Sequence, residues 1–225
     1  GPAVEARNDA LGGVASWAVL EGAHAMAPDA AGDLVVVPVG LVGSTLSIDV
    51  VKRLRERAGQ ADRVVLARIA LSEISEGSEM WRPDWVVDVS PGDGKVAFPR
   101  VPHATAPTWL GREHATRRST YPVRYWHADW QGRLAGSSKA LLDRVVAAGF
   151  DGIYMTGTEA AQNWSLERSQ ARADMVELIG RLADYGRKLR PELVVVLENG
   201  DDLVHERTVR RAIDGLALTG LLYPE

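Results

Sequence analysis

The chain contains no cysteine, which excludes disulfide bonds and thiolate metal ligands and leaves the redox compartment open. No apolar run approaches the ~20 residues of a membrane-spanning helix. Neither sign of charge dominates. Its 26 basic and 30 acidic residues leave a net charge of −4, which gives no electrostatic reason to expect nucleic acid or an anionic membrane surface. Histidine is sparse, and His24, His103, His114, His127 and His205 show none of the spacings of a zinc site, so no metal is expected. Phosphate and nucleophile motifs are missing too. No Gly-Lys-Ser/Thr follows Gly157-Thr158-Glu159, Gly149 and Gly152 are too close together for a dinucleotide fingerprint, and there is no Gly-x-Ser-x-Gly elbow. No cofactor is expected. The basic stretch 112–118 reads as a solvated face.

What is present is a set of short apolar runs separated by helical patterns. Runs at 14–20, 34–37, 64–71, 153–155, 193–197 and 215–222 read as strands. Residues 47–58 read as an amphipathic helix, with Ile48, Val51 and Leu54 on one face. Residues 138–148 read as a helix stopped by Gly149. Ser165 is expected to cap a long helix that runs to about Leu189, ahead of Pro191. A short helix is expected over 208–213. Continuously apolar strands separated by helices favour a parallel sheet covered on both faces. No internal repeat or low-complexity linker is visible. One domain is therefore expected over 14–225, with 1–13 as an N-terminal tail whose Gly1-Pro2 looks like a protease-cleavage scar. The 225 residues fall slightly short of the usual ~250 of a (β/α)8 barrel. Six β/α units are counted where eight are needed, so the barrel is either incomplete or cut short. The connection 72–137 is far longer than usual and contains a hairpin pattern, 86–89 with 95–101. Trp109, Trp126 and Trp130 argue that this connection is packed. The seven Trp against two Phe suit stacking on pyranose rings, although most are expected to fill core.

Four segments carry a more specific pattern. Residues 107–113 (Pro-Thr-Trp-Leu-Gly-Arg-Glu) precede 121–131 (Tyr-Pro-Val-Arg-Tyr-Trp-His-Ala-Asp-Trp-Gln). Residues 149–164 read Gly-Phe-Asp-Gly-Ile-Tyr-Met-Thr-Gly-Thr-Glu-Ala-Ala-Gln-Asn-Trp. Residues 194–203 contain Glu198-Asn199-Gly200-Asp201-Asp202-Leu203, and 65–73 end the third strand. Together they resemble glycoside hydrolase family 114, the endo-α-1,4-polygalactosaminidases. The first pair is the most specific match, because rare residues keep their spacing. The resemblance spans nearly the whole chain and implies a TIM-like (β/α)8 barrel with its cleft at the C-terminal ends of the strands.

The departures from that family fall on chemistry. Where the family carries Asp after strand four, this chain has Thr156; where it carries Glu on strand six, this chain has Thr219. The resemblance implies that these two positions hold the catalytic carboxylates. Pro38 replaces an Asp, Arg68 a Tyr and His127 an Asp, while Glu159 replaces an Asp conservatively. Glu198 stands where the family usually has Gln, a gained acid. Most glycosidases need two carboxyl groups flanking the scissile bond. A Thr hydroxyl cannot donate a proton efficiently near neutral pH, and losing a positioned acid or base costs about 10²–10⁴-fold.

No intact catalytic residue is therefore expected, with Glu159 and Glu198 as possible substitutes. Candidates for holding sugar are Trp17, Tyr125, Trp126 and Trp164 by stacking, with Glu73, His127, Asn199 and Asp201 as polar partners. The ordinary alternative for the acids is a helix-terminal charge, a loop cap or a salt bridge with Arg68 or Arg124. Three functions follow as expectations: a catalytically impaired barrel that binds a polysaccharide, an oligosaccharide or a partner protein; an active endo-glycosidase on a galactosamine-type exopolysaccharide; or a scaffold in an envelope or exopolysaccharide assembly. The resemblance also implies an extracellular or periplasmic protein.

Overall fold

The computed structural model describes residues 1–20, 32–43, 46–57, 60–87 and 98–219. Its elements are α1 (Pro2–Gly12), β1 (Trp17–Val19), β2 (Leu34–Pro38), α2 (Ile48–Arg55), β3 (Val64–Ala70), β4 (Glu73–Ser75), β5 (Val86–Val87), β6 (Val101–Pro102), β7 (Thr120–Pro122), α3 (Ala128–Leu134), α4 (Leu141–Ala147), β8 (Gly152–Thr156), α5 (Ala160–Asn163), α6 (Ala171–Leu189), β9 (Val194–Glu198), α7 (Arg207–Ala212) and β10 (Gly215–Ala217). Six strands form one parallel sheet in the order β1-β2-β3-β8-β9-β10. Spatial order follows chain order throughout. A doubly wound sheet reverses its order at a switch point; a β/α barrel does not. The sheet is a curled half-barrel, consistent with a TIM-like barrel architecture.

Strand alternation explains why the runs are continuously apolar. Val35, Val37, Val65, Ala67, Ile69, Ile153, Met155, Val195 and Leu197 face outward and pack on Val51 and Leu54 of α2, Leu142 and Val145 of α4, and Met175, Leu178, Ile179 and Leu182 of α6. Leu34, Val36, Leu66, Tyr154, Val194 and Val196 face inward and form a second cluster.

The N-terminal segment expected as a tail is helical. Ala10, Leu11 and Val14 pack against the inward cluster. Arg7 donates from Nε to Asp214 (2.9 Å) and from Nη1 to the carbonyl of Pro191 (2.9 Å). Both partners precede a strand, so α1 covers the N-terminal end of the half-barrel.

The same end carries a device repeated along the chain. Asp33, Asp151 and Asp214 lie just before β2, β8 and β10. Each accepts from a backbone N–H at or just before the start of the preceding strand of the sheet: Ala15 and Ser16 (both 3.1 Å), Val65 (2.9 Å) and Val195 (2.9 Å). Each also pairs with a guanidinium, from Arg57 (3.1 Å), Arg55 (2.9 Å) and Arg187 (2.8 Å).

Some expected boundaries move. Ser165 does not cap the long helix. Its hydroxyl donates to the carbonyl of Gln162 (2.8 Å), just after α5, and Gln170 is the N-cap residue of α6. Gly149 does stop α4, with φ +84 in the left-handed region. The long connection is packed and contains an unanticipated helix, α3. Its hairpin is β5 against β6; the turn expected at 91–94 and the flanking strand residues 88–89 and 95–97 lie outside the described residues. So do residues 220–222 of the expected sixth strand, and His24. The strand pair β4–β7 brings the connection back over the end of β3.

Candidate functional site

The inward positions at the C-terminal ends of the strands are Pro38, Arg68, Ala70, Thr156 and Glu198. They line a cleft of about 410 Å³ together with Glu73, Arg117 and Glu159. Thr156 closes β8 and Glu198 closes β9. Met155 pairs with Leu197 across these strands, so Thr156 and Glu198 stand side by side, one strand spacing (~4.8 Å) apart.

Glu198 is held from the strand beside it. The Tyr154 hydroxyl donates to Glu198 Oε1 at 3.0 Å. Burial, with the Glu198 charge adding to it, pushes the Tyr154 phenol above its ordinary value, so it stays protonated and donating. Arg68 is the register partner of Tyr154 on β3. Glu73 spends both carboxylate oxygens on Arg117 (3.1 and 2.7 Å). Glu159 is exposed at the cleft wall, at the start of the four-residue helix α5.

Arg117 reaches the cleft from a loop pinned at its base. Glu113 is 4% exposed and accepts from the backbone N–H groups of Arg100 (2.8 Å) and Ser119 (2.6 Å) and from the Arg100 guanidinium (3.2 and 3.3 Å). Burial pushes the Glu113 carboxyl up, but these hydrogen bonds outweigh it and hold it below its ordinary value. Arg100 also pairs with Glu76, which accepts from the Tyr121 hydroxyl at 2.7 Å.

Thr219 has a different use. Asn199 sits at φ +48; its Nδ2 donates to Thr219 Oγ1 (2.7 Å) and its Oδ1 accepts from the Thr219 N–H (2.8 Å). This amide clamp ties the end of β9 to the segment after β10. Asp201 is exposed in the turn after β9 and does not line the cleft.

The expected sugar-stacking residues lie outside this cleft. Tyr125 is fully buried and its hydroxyl donates to the carbonyl of Ala171 (2.7 Å). Trp126 and Trp164 meet edge to face at 5.4 Å, covered by Arg168 and Arg124 respectively. His127 caps α3 through the Asp129 N–H (3.2 Å), and its Nε2 meets the Thr108 hydroxyl (2.9 Å). None of these four lines the cleft. The segment 121–131 is distinctive because its large rings and caps interlock, which fixes their spacing. Trp17 differs: it is 44% exposed, and its ring lies 6.1 Å from that of Tyr154.

One cleft residue, Arg117, and one residue beneath it, Tyr154, escape sequence reasoning. Arg117 is hidden in a stretch that reads as a solvated face. Tyr154 reads as buried strand, although it lies two residues before Thr156 and so on the same face. Among the described residues, no group of His, Asp and Glu is placed to hold a metal.

Strand order and the parallel sheet define a TIM-like barrel architecture. Two structures of the glycoside hydrolase domain of PelA from Pseudomonas aeruginosa, one of them a variant, share this fold with a TM-score of 0.53 at 15% identity, covering 92% of this chain and 67% of that domain. No family model matches the chain. Similar sequences are uncharacterized proteins of Deinococcus radiodurans (28% identical over 158 residues, 70% of this chain and 44% of the relative) and Thermotoga maritima (27% over 127 residues, 54% and 38%). A third, from Methanocaldococcus jannaschii, is 21% identical over 175 residues, covering 75% of this chain and 44% of the relative. The chain thus spans less than half the length of these curated relatives.

Proposed function

We propose that this half-barrel binds a polysaccharide or oligosaccharide in the cleft at the strand ends without hydrolysing it. The observation that carries this reading is Thr156. It stands one strand from Glu198, where a two-carboxylate mechanism would want a second carboxyl about 5–5.5 Å away in a retaining enzyme. A hydroxyl there neither protonates a leaving oxygen nor attacks an anomeric carbon. Thr219 supports the same reading, since its side chain is already committed to Asn199. Glu73 is committed to Arg117. The cleft keeps hydrogen-bonding groups from Arg68, Thr156, Glu159 and Glu198, which suits a sugar held by hydrogen bonds. A partner protein is the other occupant this cleft could take. The family resemblance makes an exopolysaccharide the first glycan to try and an extracellular or periplasmic location the natural setting.

A second reading has one specific observation in its favour. Glu159 and Glu198 line the same cleft, so relocated acids could sustain an endo-glycosidase. Calorimetry and product analysis on α-1,4-galactosamine oligosaccharides decide between the two. Binding without shortening of the oligosaccharide, weakened by Glu198→Gln in the cleft lining, is the expected result. Release of shorter oligosaccharides would establish the second reading. A stable complex with another protein and no glycan binding would leave a scaffold.

A further inference from the structure

Tyr154 is a buried titratable group that neither the fold nor the proposed binding requires to carry a hydroxyl. Its ring is 1% exposed and belongs to the inward apolar cluster, where phenylalanine would pack equally well. Its hydroxyl is nevertheless aimed along the sheet at a carboxylate of the cleft, 3.0 Å from Glu198 Oε1. Glu198 is the last residue of β9, and strand alternation puts it on the inward face. Its side chain would otherwise be free to turn among rotamers at the mouth of the half-barrel. One oxygen of the carboxylate is taken by the phenol, while the residue lines the cleft.

We propose that Tyr154 is the positioning residue for Glu198, and that Glu198 so held is the acceptor through which the cleft takes a hydroxyl or ammonium of a sugar. The second half rests on the proposed glycan binding; the first does not. The phenol is suited to the task, because burial keeps it neutral and donating well beyond physiological pH.

Three variants test this: Tyr154→Phe, Glu198→Gln and the two combined. The first readout is the side-chain carboxyl 13C resonance of Glu198 in protein labelled at glutamate. Tyr154→Phe is expected to shift it while leaving the other glutamate carboxyl resonances and the melting temperature near their wild-type values. The second readout is affinity for α-1,4-galactosamine oligosaccharides. Tyr154→Phe is expected to weaken it about tenfold, the scale of one hydrogen bond to a charged group. The double variant should then be no weaker than Glu198→Gln alone, because both changes act through one group. An unmoved Glu198 resonance overturns the positioning role whatever the glycan result. Additive losses in the double variant overturn the claim that Tyr154 acts through Glu198. No binding by the wild-type protein overturns the proposed function and the acceptor role with it, and the resonance still decides the role of Tyr154.

Discussion

Thr219 is held by two hydrogen bonds to the Asn199 amide, at 2.7 and 2.8 Å, whereas the Thr156 side chain makes none among the described residues. The two threonines stand at matching places in the resemblance but differ in what they support. Thr219→Glu should break the clamp and cost about 1 kcal/mol or more of stability, while Thr156→Asp should cost less. Urea denaturation of both variants checks this; equal losses would mean that Thr156 has a structural partner too. The contrast bears on what was legible. Thr156 could be read from sequence because a short motif frames it. Its neighbour Glu198 could be suspected for the same reason. Arg117 could not, because its partner Glu73 lies 44 residues away in sequence and only the folded loop brings them together. That Tyr125, Trp126, Trp164 and His127 lie outside the cleft was hidden for a related reason. A sequence shows that an aromatic is present, but not whether its face meets solvent or another ring.

The strand-end aspartates and the Glu113 loop make their predictions as elements. Asp214 is half-buried, with its side chain 8% exposed, and accepts from Arg7, Arg187 and the Val195 N–H. Asp214→Ala would strand these donors and should cost about 3 kcal/mol, the scale of breaking a buried pair. Because Arg7 belongs to α1, amide exchange over residues 2–12 should also accelerate; unchanged exchange there would show that apolar contacts alone dock the helix. For Glu113, the folded carboxyl lies below its ordinary 4.5. Its contribution is therefore fully present above about 4.5 and is lost as pH falls through the lower folded value. Stability measured from pH 7 down to 3 should fall, and Glu113→Gln, already weaker at pH 7, should show a shallower fall. Parallel curves would remove the loop from the acid response. Helix and strand positions were largely legible because the apolar runs are short and dense. The helical character of residues 2–12 was not, since their weak pattern gains meaning only against the inward cluster they cover. The aspartate device was equally hidden, because one residue at a strand start leaves no periodic trace in sequence.

At the scale of the whole molecule, the fold could be foreseen and the function followed less directly. Six strands in chain order curl the sheet, bring the ends of β2, β3, β8 and β9 to one cleft, and leave the N-terminal end to α1 and the aspartates. That division matches β/α barrels, where chemistry sits at the strand C-terminal face and the opposite face serves stability. The cleft combines Glu73, Glu159 and Glu198 with Arg68 and Arg117, a mixed set with two of its acids already engaged. The proposed function turns on one absence: among the described residues, neither strand position beside Glu198 carries a second carboxyl. It is tested most directly by measuring reducing-end release from an α-1,4-galactosamine polymer by the wild-type protein and by Thr156→Asp. The account predicts no release above buffer for the wild type and measurable release for Thr156→Asp that disappears when Glu198→Gln is added. Release by the wild-type protein, abolished by Glu159→Gln or Glu198→Gln, would contradict it.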